Sequence, residues 1–346
     1  MFKITRGEVL STNKISSNLT YINKYPVYSS KTLNNGLLGY YSNYLFENSL
    51  TWTTDGAGAG KVRFRSGKFY PTNVCGVLLS DKYSDHSIAH ILNSETFKYV
   101  SAAAIPKLMN NVMSSIKISY SPNKSERESI SKLINNLDSS IALLQRKLEK
   151  MKNIKEFLLN KMFVSGQAEF PEIRFKGFTN SWVQSPIETF VSKILKSNIF
   201  INDFKKTGNY PVYSATDIFG FINDNHLKED AILISVDGSI GNLRIVNKNS
   251  WFISTNQAII PNKNINIIFL FNILKRINFN KITIGTTIKH LYYSEYKNIL
   301  IWSPKMNEQT KISKIFTNLD SSIALFQRKL EKLENIKKTL LNKMFI

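Results

Sequence analysis

"LDSSIALLQRKLEK" occupies residues 137–150, and "LDSSIALFQRKLEK" occupies 319–332. The two segments differ at one position in fourteen and stand at an offset of 182. The repetition extends outward in both directions. "SPNKSERESISKL" (121–133) matches "SPKMNEQTKISKI" (303–315), and "NKMFV" (160–164) matches "NKMFI" (342–346). "YPVYS" occurs at 25–29 and 210–214. Asp55-Gly56 matches Asp237-Gly238, "GKVR" (60–63) matches "GNLR" (241–244), and "IPKL" (105–108) falls opposite "IKHL" (288–291). By residue identity, Phe69, Thr72 and Asn73 match Phe252, Thr255 and Asn256. Two copies are too few for a solenoid. The chain is a duplication in the order module, helix, module, helix.

The helical segments follow a heptad. Ile130, Ile134, Leu137, Ile141, Leu144, Leu148 and Met151 are separated by alternating steps of four and three. The second copy repeats those steps with Ile312, Phe316, Leu319, Ile323, Phe326, Leu330 and Leu333. Each helix is expected to run for roughly 55–60 Å and to present an apolar seam that must be covered. Helices this long overhang their own modules, so mutual packing is expected, in an antiparallel coiled coil. Ser125 with Glu128 reads as a capping box, with Asn307 as the matching cap.

The modules read as β-rich. "KVRFRS", "GVLLS", "AILISV", "NLRIV" and "WFISTNQAIIP" are short apolar runs bounded by Gly, Asp, Asn and Pro, and a helix is expected around 264–276. The expected class is α+β, two β-rich domains of pseudo-twofold symmetry joined by two long helices. The expected boundaries are 1–120, 121–164, 165–302 and 303–346.

The 346 residues carry a net charge of +21, which points to an anionic partner, nucleic acid ahead of a membrane surface. Cys75 is the only cysteine, so no disulfide framework forms within the chain. His86 and His90 stand four apart without an HExxH pattern, and no metal site is expected. The most apolar window, "INIIFLFNIL" (265–274), is too short to span a bilayer, and no signal peptide is legible, so a cytoplasmic location is expected.

"TTDGAGAGKVRF" (53–64) superficially suggests a phosphate-binding loop. A P-loop needs Gly, four residues, then Gly-Lys-Ser/Thr; here Asp55 and Val62 stand where Gly and Ser/Thr are required. Its counterpart "SVDGSIGNLRIV" (235–246) keeps only Asp-Gly and Gly-x-x-Arg, so a hairpin turn is the better reading. No adenine-methyltransferase, nuclease or helicase motif is legible, and no catalytic residues are expected. Candidate DNA contacts are Lys61, Arg63, Arg65 and Lys68, with Arg244 matching Arg63. Ser29, Ser30 and Lys31, and their counterparts Ser214 and Thr216, follow the Tyr-Pro-Val-Tyr strand as candidate base-reading loop residues; turn capping is the alternative. Arg146, Lys147, Lys150, Arg328, Lys329 and Lys332 lie outside the seam. Their repetition suggests a shared partner rather than a solvated face alone.

In the order of these duplicated elements the chain resembles the specificity subunit of type I restriction–modification enzymes. The likeness rests on the two "LDSSIAL.QRKLEK" helices, on "YPVYS" near each module start, and on "PEIRFKGFTNSW" (171–182) opening the second module. It implies two target-recognition domains, each reading one half of a bipartite double-stranded DNA target. It also implies helices that set the gap and dock two adenine-methyltransferase subunits, with motor-nuclease subunits joining for cleavage. S-adenosylmethionine, ATP and Mg would then sit on the partner subunits, and none on this chain. The first module has no counterpart of 171–182: either its start was shortened or it does without that element. A coiled-coil scaffold for RNA or protein partners is the alternative reading.

Overall fold

The computed structural model describes residues 1–30, 33–102, 104–166, 168–199, 204–224, 226–285 and 289–344. The chain divides into two compact units, Met1–Arg146 with Arg328–Ile346, and Lys147–Gln327. Each unit therefore takes one module together with part of each long helix.

In the first unit, β1 (Lys3–Arg6), β2 (Tyr25–Tyr28), β3 (Leu37–Tyr41), β4 (Phe46–Thr53), β5 (Val62–Pro71) and β6 (Cys75–Leu79) form one sheet, in the order β1-β6-β4-β5-β2-β3. All pairs are antiparallel except β2 with β5. Side chains alternate across a strand. Leu50 and Trp52 of β4, with Val62 and Leu78, therefore pack under α1 (His86–Thr96), whose Ile88, Ile91 and Leu92 complete the core. The alternate residues Thr51 and Thr53, with Arg63 and Arg65 of β5, lie on the opposite face. After α2 (Asn110–Ser115) comes the long helix α3 (Lys124–Lys161).

The second unit repeats the ladder. Its strands are β7 (Val183–Pro186), β8 (Val191–Lys196), β9 (Tyr210–Tyr213), β10 (Ile218–Ile222), β11 (Ala231–Ser235), β12 (Leu243–Val246), β13 (Trp251–Phe252) and β14 (Asn256–Pro261). After α4 (Ile267–Leu274) and α5 (Tyr293–Tyr296) come β15 (Leu300–Ser303) and α6 (Met306–Met344). The sheets run β12-β11-β14-β8, β10-β9-β13 and β15-β7. The single strand β5 thus does the work of β12 and β13: its start pairs with β4 as β12 pairs with β11, and its end runs parallel to β2 as β13 runs parallel to β9.

Strand pairing corrects one set of sequence matches. Thr72 N–H donates to the Tyr28 carbonyl, and Ile253 N–H donates to that of Tyr213. Cys75 then pairs with Thr53 as Asn256 pairs with Ser235. Pro71 therefore corresponds to Phe252, Thr72 to Ile253 and Cys75 to Asn256, so the matches of Phe69 to Phe252, Thr72 to Thr255 and Asn73 to Asn256 do not hold. Backbone hydrogen bonds set register, and they override side-chain identity. The "GNLR" match survives: Arg63 opposes Thr51 as Arg244 opposes Leu233.

The helix start is corrected as well. Asn123, not Ser125, caps α3: its Oδ1 accepts from the N–H groups of Ser125 (3.0 Å) and Glu126 (3.4 Å). Ser125 lies in the first turn, and Asn307 lies in the first turn of α6. Glu128 pairs with Lys124 rather than reaching back to a cap (3.7 Å).

Both units hold an antiparallel helix pair. In the first, Asp138 of α3 pairs with Lys337 of α6. In the second, Lys155 pairs with Asp320, and the Phe163 ring lies 5.5 Å from Phe316. The seam is not covered evenly. Ile134, Ile312 and Phe316 are buried, and Ile312 and Phe316 join the core around Phe269 of α4. Ile130, Leu137, Ile141, Leu144, Leu148, Met151, Leu319, Ile323, Phe326, Leu330 and Leu333 are half-buried. The start of α6 thus packs on its own module, which the heptads did not foretell, and the later turns are tied to α3 by the two ion pairs.

Candidate nucleic-acid interface

The glycine-rich turn is built for tight packing. Gly56 and Gly60 have φ of +94° and +83°, and a Cβ on Gly60 would stand 2.8 Å from Val100. The N–H groups of Gly56, Ala59, Gly60 and Lys61 all donate to carbonyls of the turn and its neighbours, so these four are not free to cradle a phosphate. In the second unit, Gly241 packs as closely, with a Cβ position 2.8 Å from Phe279. The acid of each turn is tied to the chain ahead of the long helix: Asp55 to Lys107 at 3.9 Å, and Asp237 to His290.

The four basic candidates on and just ahead of β5 do not form one cluster. Lys61 and Lys68 stand at opposite ends of the strand, about 23 Å apart. Lys61 is exposed as a whole, yet burial around it and the neighbouring Arg63 lower its pKa. Arg63 is half-buried. Arg65 is only 7% exposed. Its Nε donates to Thr51 Oγ1 (3.1 Å), an Nη donates to the Asn35 carbonyl (2.7 Å), and the guanidinium lies 3.7 Å over the Tyr28 ring. Burial lowers its pKa to about 10. Arg65 is thus an internal clamp between β5 and the loop after β2. In the second unit that task falls to Arg244, which lies 4.9 Å over Tyr213 and donates to the Ser214 carbonyl at 3.4 Å. The residue with Arg63's register does Arg65's job.

Ser214 is buried, and its hydroxyl accepts from the N–H groups of Thr216 (3.1 Å) and Asp217 (2.8 Å), which is turn capping. Thr216 is exposed. Ser29 is buried, and its N–H donates to the Gly36 carbonyl (2.8 Å); Ser30 is half-buried. Lys31 lies outside the described residues.

Sequence reasoning missed a surface at the start of β2. Tyr25 and Tyr44 pack with ring centres 5.0 Å apart and planes tilted by 54°, with Lys24 5.3 Å over the first ring and Lys68 4.5 Å over the second. Contact with Tyr44 raises the Lys68 pKa. The loop leading to this pair exposes Leu19 (63%), Tyr21 (98%) and Ile22 (72%). At the matching strand in the second unit His226 stacks on Tyr210 at 4.1 Å, with Lys228 Nζ 2.8 Å from the imidazole. Asp224, Glu229 and Asp230 surround that stack in sequence, so it does not carry the same charge.

The modules also diverge beside their glycine turns. In the second unit a pocket of about 210 Å³ is lined by Lys196, Asp237, Asn256, Gln257 and His290, and the buried Gln257 Oε1 has no hydrogen-bond partner. In the first unit Gly76 takes the place of Gln257, and a Cβ there would stand 2.2 Å from the Trp52 ring. One frame therefore carries a polar pocket in one copy and an indole in the other.

On the long helices Arg146, Lys147, Lys150, Arg328, Lys329 and Lys332 are all exposed. So are several large apolar residues of these helices, among them Leu133 (41%), Leu143 (51%), Phe157 (53%), Leu325 (44%) and Ile336 (38%). Among the described residues, no helix is long and apolar enough to cross a membrane.

The type I restriction modification DNA specificity domain matches residues 1–153 and again 181–335. A Mycoplasma pneumoniae protein named as a type I specificity subunit is 29% identical over 327 residues, covering 90% of this chain and 84% of that protein. The specificity subunit of the type I restriction enzyme MpnII, from the same organism, is 32% identical over 169 residues, covering 46% of this chain and 50% of its own length. In fold, the chain is similar to the crystal structure of a type I restriction–modification S subunit from M. genitalium. The TM-score is 0.76 at 19% identity, covering 100% of this chain and 94% of the other. With both modules matched, the chain belongs to the type I restriction–modification DNA specificity family.

Proposed function

We propose that this specificity subunit reads a bipartite, asymmetric duplex DNA target, one half per module, and catalyses no reaction itself. The observation that carries the reading is the contrast between its parts. The two modules share a ladder, yet they differ at the residues around it: Trp52 with Gly76 against Ile234 with Gln257, and Thr51 against Leu233. The helices agree at all but one position over 137–150 and 319–332, exposed positions included. Divergent readers on one scaffold suit two different half-sites, and twofold geometry suits a fixed gap between them.

The helices are then the dock for two adenine-methyltransferase subunits, which would hold S-adenosylmethionine. Motor-nuclease subunits using ATP and Mg would join the assembly for cleavage. The repeated cations and the exposed Leu143, Phe157, Leu325 and Ile336 support a protein partner, because apolar side chains of this size gain by being covered.

The test is a module exchange. Residues 187–300 are replaced by the equivalent region of a relative, and the genome of cells carrying the variant with a cognate methyltransferase is sequenced for methylated adenine. One half-site is expected to change while the other half and the gap persist. A change in both halves, or an uninterrupted native target, would overturn the reading.

A further inference from the structure

We infer that the loop preceding β2 is the base-reading element of the first module, with Tyr21 and Ile22 against the bases and Lys24 and Lys68 on the flanking phosphates. This rests on the reading of the chain as a DNA-recognition subunit.

Three observations converge on this surface. The first is its exposure. Tyr21 and Ile22 are 98% and 72% exposed, and Leu19 beside them is 63% exposed. Side chains of this size held in water leave apolar area that gains only when something covers it. The second is local order. Thr20 N–H donates to the Asn23 carbonyl (3.1 Å), and Asn23 N–H donates to Thr20 Oγ1 (2.9 Å), which closes a turn around Tyr21 and Ile22. Ser16 ties the base of the loop to Tyr40 of β3 through two backbone hydrogen bonds of 2.9 and 2.8 Å. The apolar pair is thus presented by a structured turn, which lowers the ordering cost of binding.

The third observation is charge, which selects the occupant. Residues 9–25 contain Lys14 and Lys24 and no Asp or Glu. Lys24 and Lys68 rest on the Tyr25–Tyr44 pair, and the one carboxylate acting on Lys68 is Glu47 on the facing strand. An apolar tip beside exposed ammonium groups complements a nucleic-acid groove, where bases offer methyl groups and flat faces and the backbone offers phosphates. Lysines on the rim would position the loop, and the tip would discriminate bases, with a thymine methyl as the natural apolar partner. In sequence alone, "NIFIN" (198–202) stands ahead of the second Tyr-Pro-Val-Tyr, again with apolar residues between asparagines.

The experiment uses the full chain with its cognate methyltransferase and two duplexes, one carrying the target found by methylome sequencing and one of random sequence. Tyr21→Ala with Ile22→Ala should relax the first half-site at one or two positions and leave the second half-site and the gap unchanged. Affinity for the target duplex should fall toward that for the random duplex. Lys24→Ala and Lys68→Ala should each weaken both duplexes alike and reduce the slope of log affinity against log salt by about one. All four side chains are solvent-facing, and unchanged melting of each variant checks that the fold is intact. The inference is overturned if Tyr21→Ala with Ile22→Ala leaves the methylated sequence and target affinity unchanged, if it weakens both duplexes equally, or if the second half-site shifts. If the wild-type assembly itself neither binds nor methylates a bipartite target, the parent reading fails as well, and that result is distinct from these.

Discussion

Asp138 of α3 forms an ion pair with Lys337 of α6, and the same two positions meet again as Asp320 and Lys155. The duplication offset of 182 carries Asp138 to Asp320 and Lys155 to Lys337. Each helix thus contributes the acid to one pair and the base to the other, which only antiparallel packing allows. The pairs therefore act as register marks on an otherwise repetitive seam.

Asp138→Lys should place two ammonium groups together and lower stability by about 1 kcal/mol at low salt, less at high salt. Adding Lys337→Asp should recover most of that loss with the polarity reversed. Thermal melts of the two single variants and the double variant, at two ionic strengths, would measure it. A double variant no more stable than either single would show that this contact does not mark register.

His90 of α1 gives the first unit a pH dependence. Burial and the Lys337 ammonium lower its pKa to about 4, against the opposing pull of Asp138; Lys61 and His86 also disfavour the charged form. The unfolded imidazole titrates near 6.5, so between about pH 6.5 and 4 the unfolded chain binds a proton that the folded chain refuses. Stability contributed by this group should be unchanged above pH 7, should fall as pH drops through that window, and should be lower by on the order of 3 kcal/mol below it. Denaturant unfolding at pH 7, 5 and 4 should show a shallower decline for His90→Gln. Parallel curves for the two proteins would contradict it.

Arg127 at the start of α3 is 2% exposed. It donates to Asp85 at 3.1 Å and to the carbonyls of Ser121 and Lys82, both at 2.8 Å. Asp85 also caps α1 by accepting from Ile88 N–H. The second unit makes this joint without charge: Asn266 caps α4, and Gln309 accepts from Asn266 N–H at 2.8 Å. Asp85→Asn should keep the cap yet leave Arg127 without its counter-charge, costing about 3 kcal/mol. Adding Arg127→Gln should recover a substantial part, since that pair works in the other unit. A coupling energy of zero in this double-mutant cycle would mean that the two residues act independently.

Much of the fold was legible in the residues themselves. The duplication is visible by inspection, and apolar steps of four and three require long helices with a seam. Short β-branched runs between Gly, Asn and Asp require strands, because local backbone chemistry and side-chain period depend on neighbours in the chain. What the sequence alone could not settle depends on partners distant in it. Whether Arg65 meets solvent or Tyr28, and whether Thr72 corresponds to Thr255 or Ile253, follows from which strands pair and in what register. Asn123 took the cap from Ser125 because the chain entered the helix two residues earlier than the box pattern implied. The Lys24–Tyr25–Tyr44–Lys68 surface draws on three segments that share no motif. Only strand pairing brings them together, since the register of β4 on β5 and of β2 on β5 decides which side chains become neighbours.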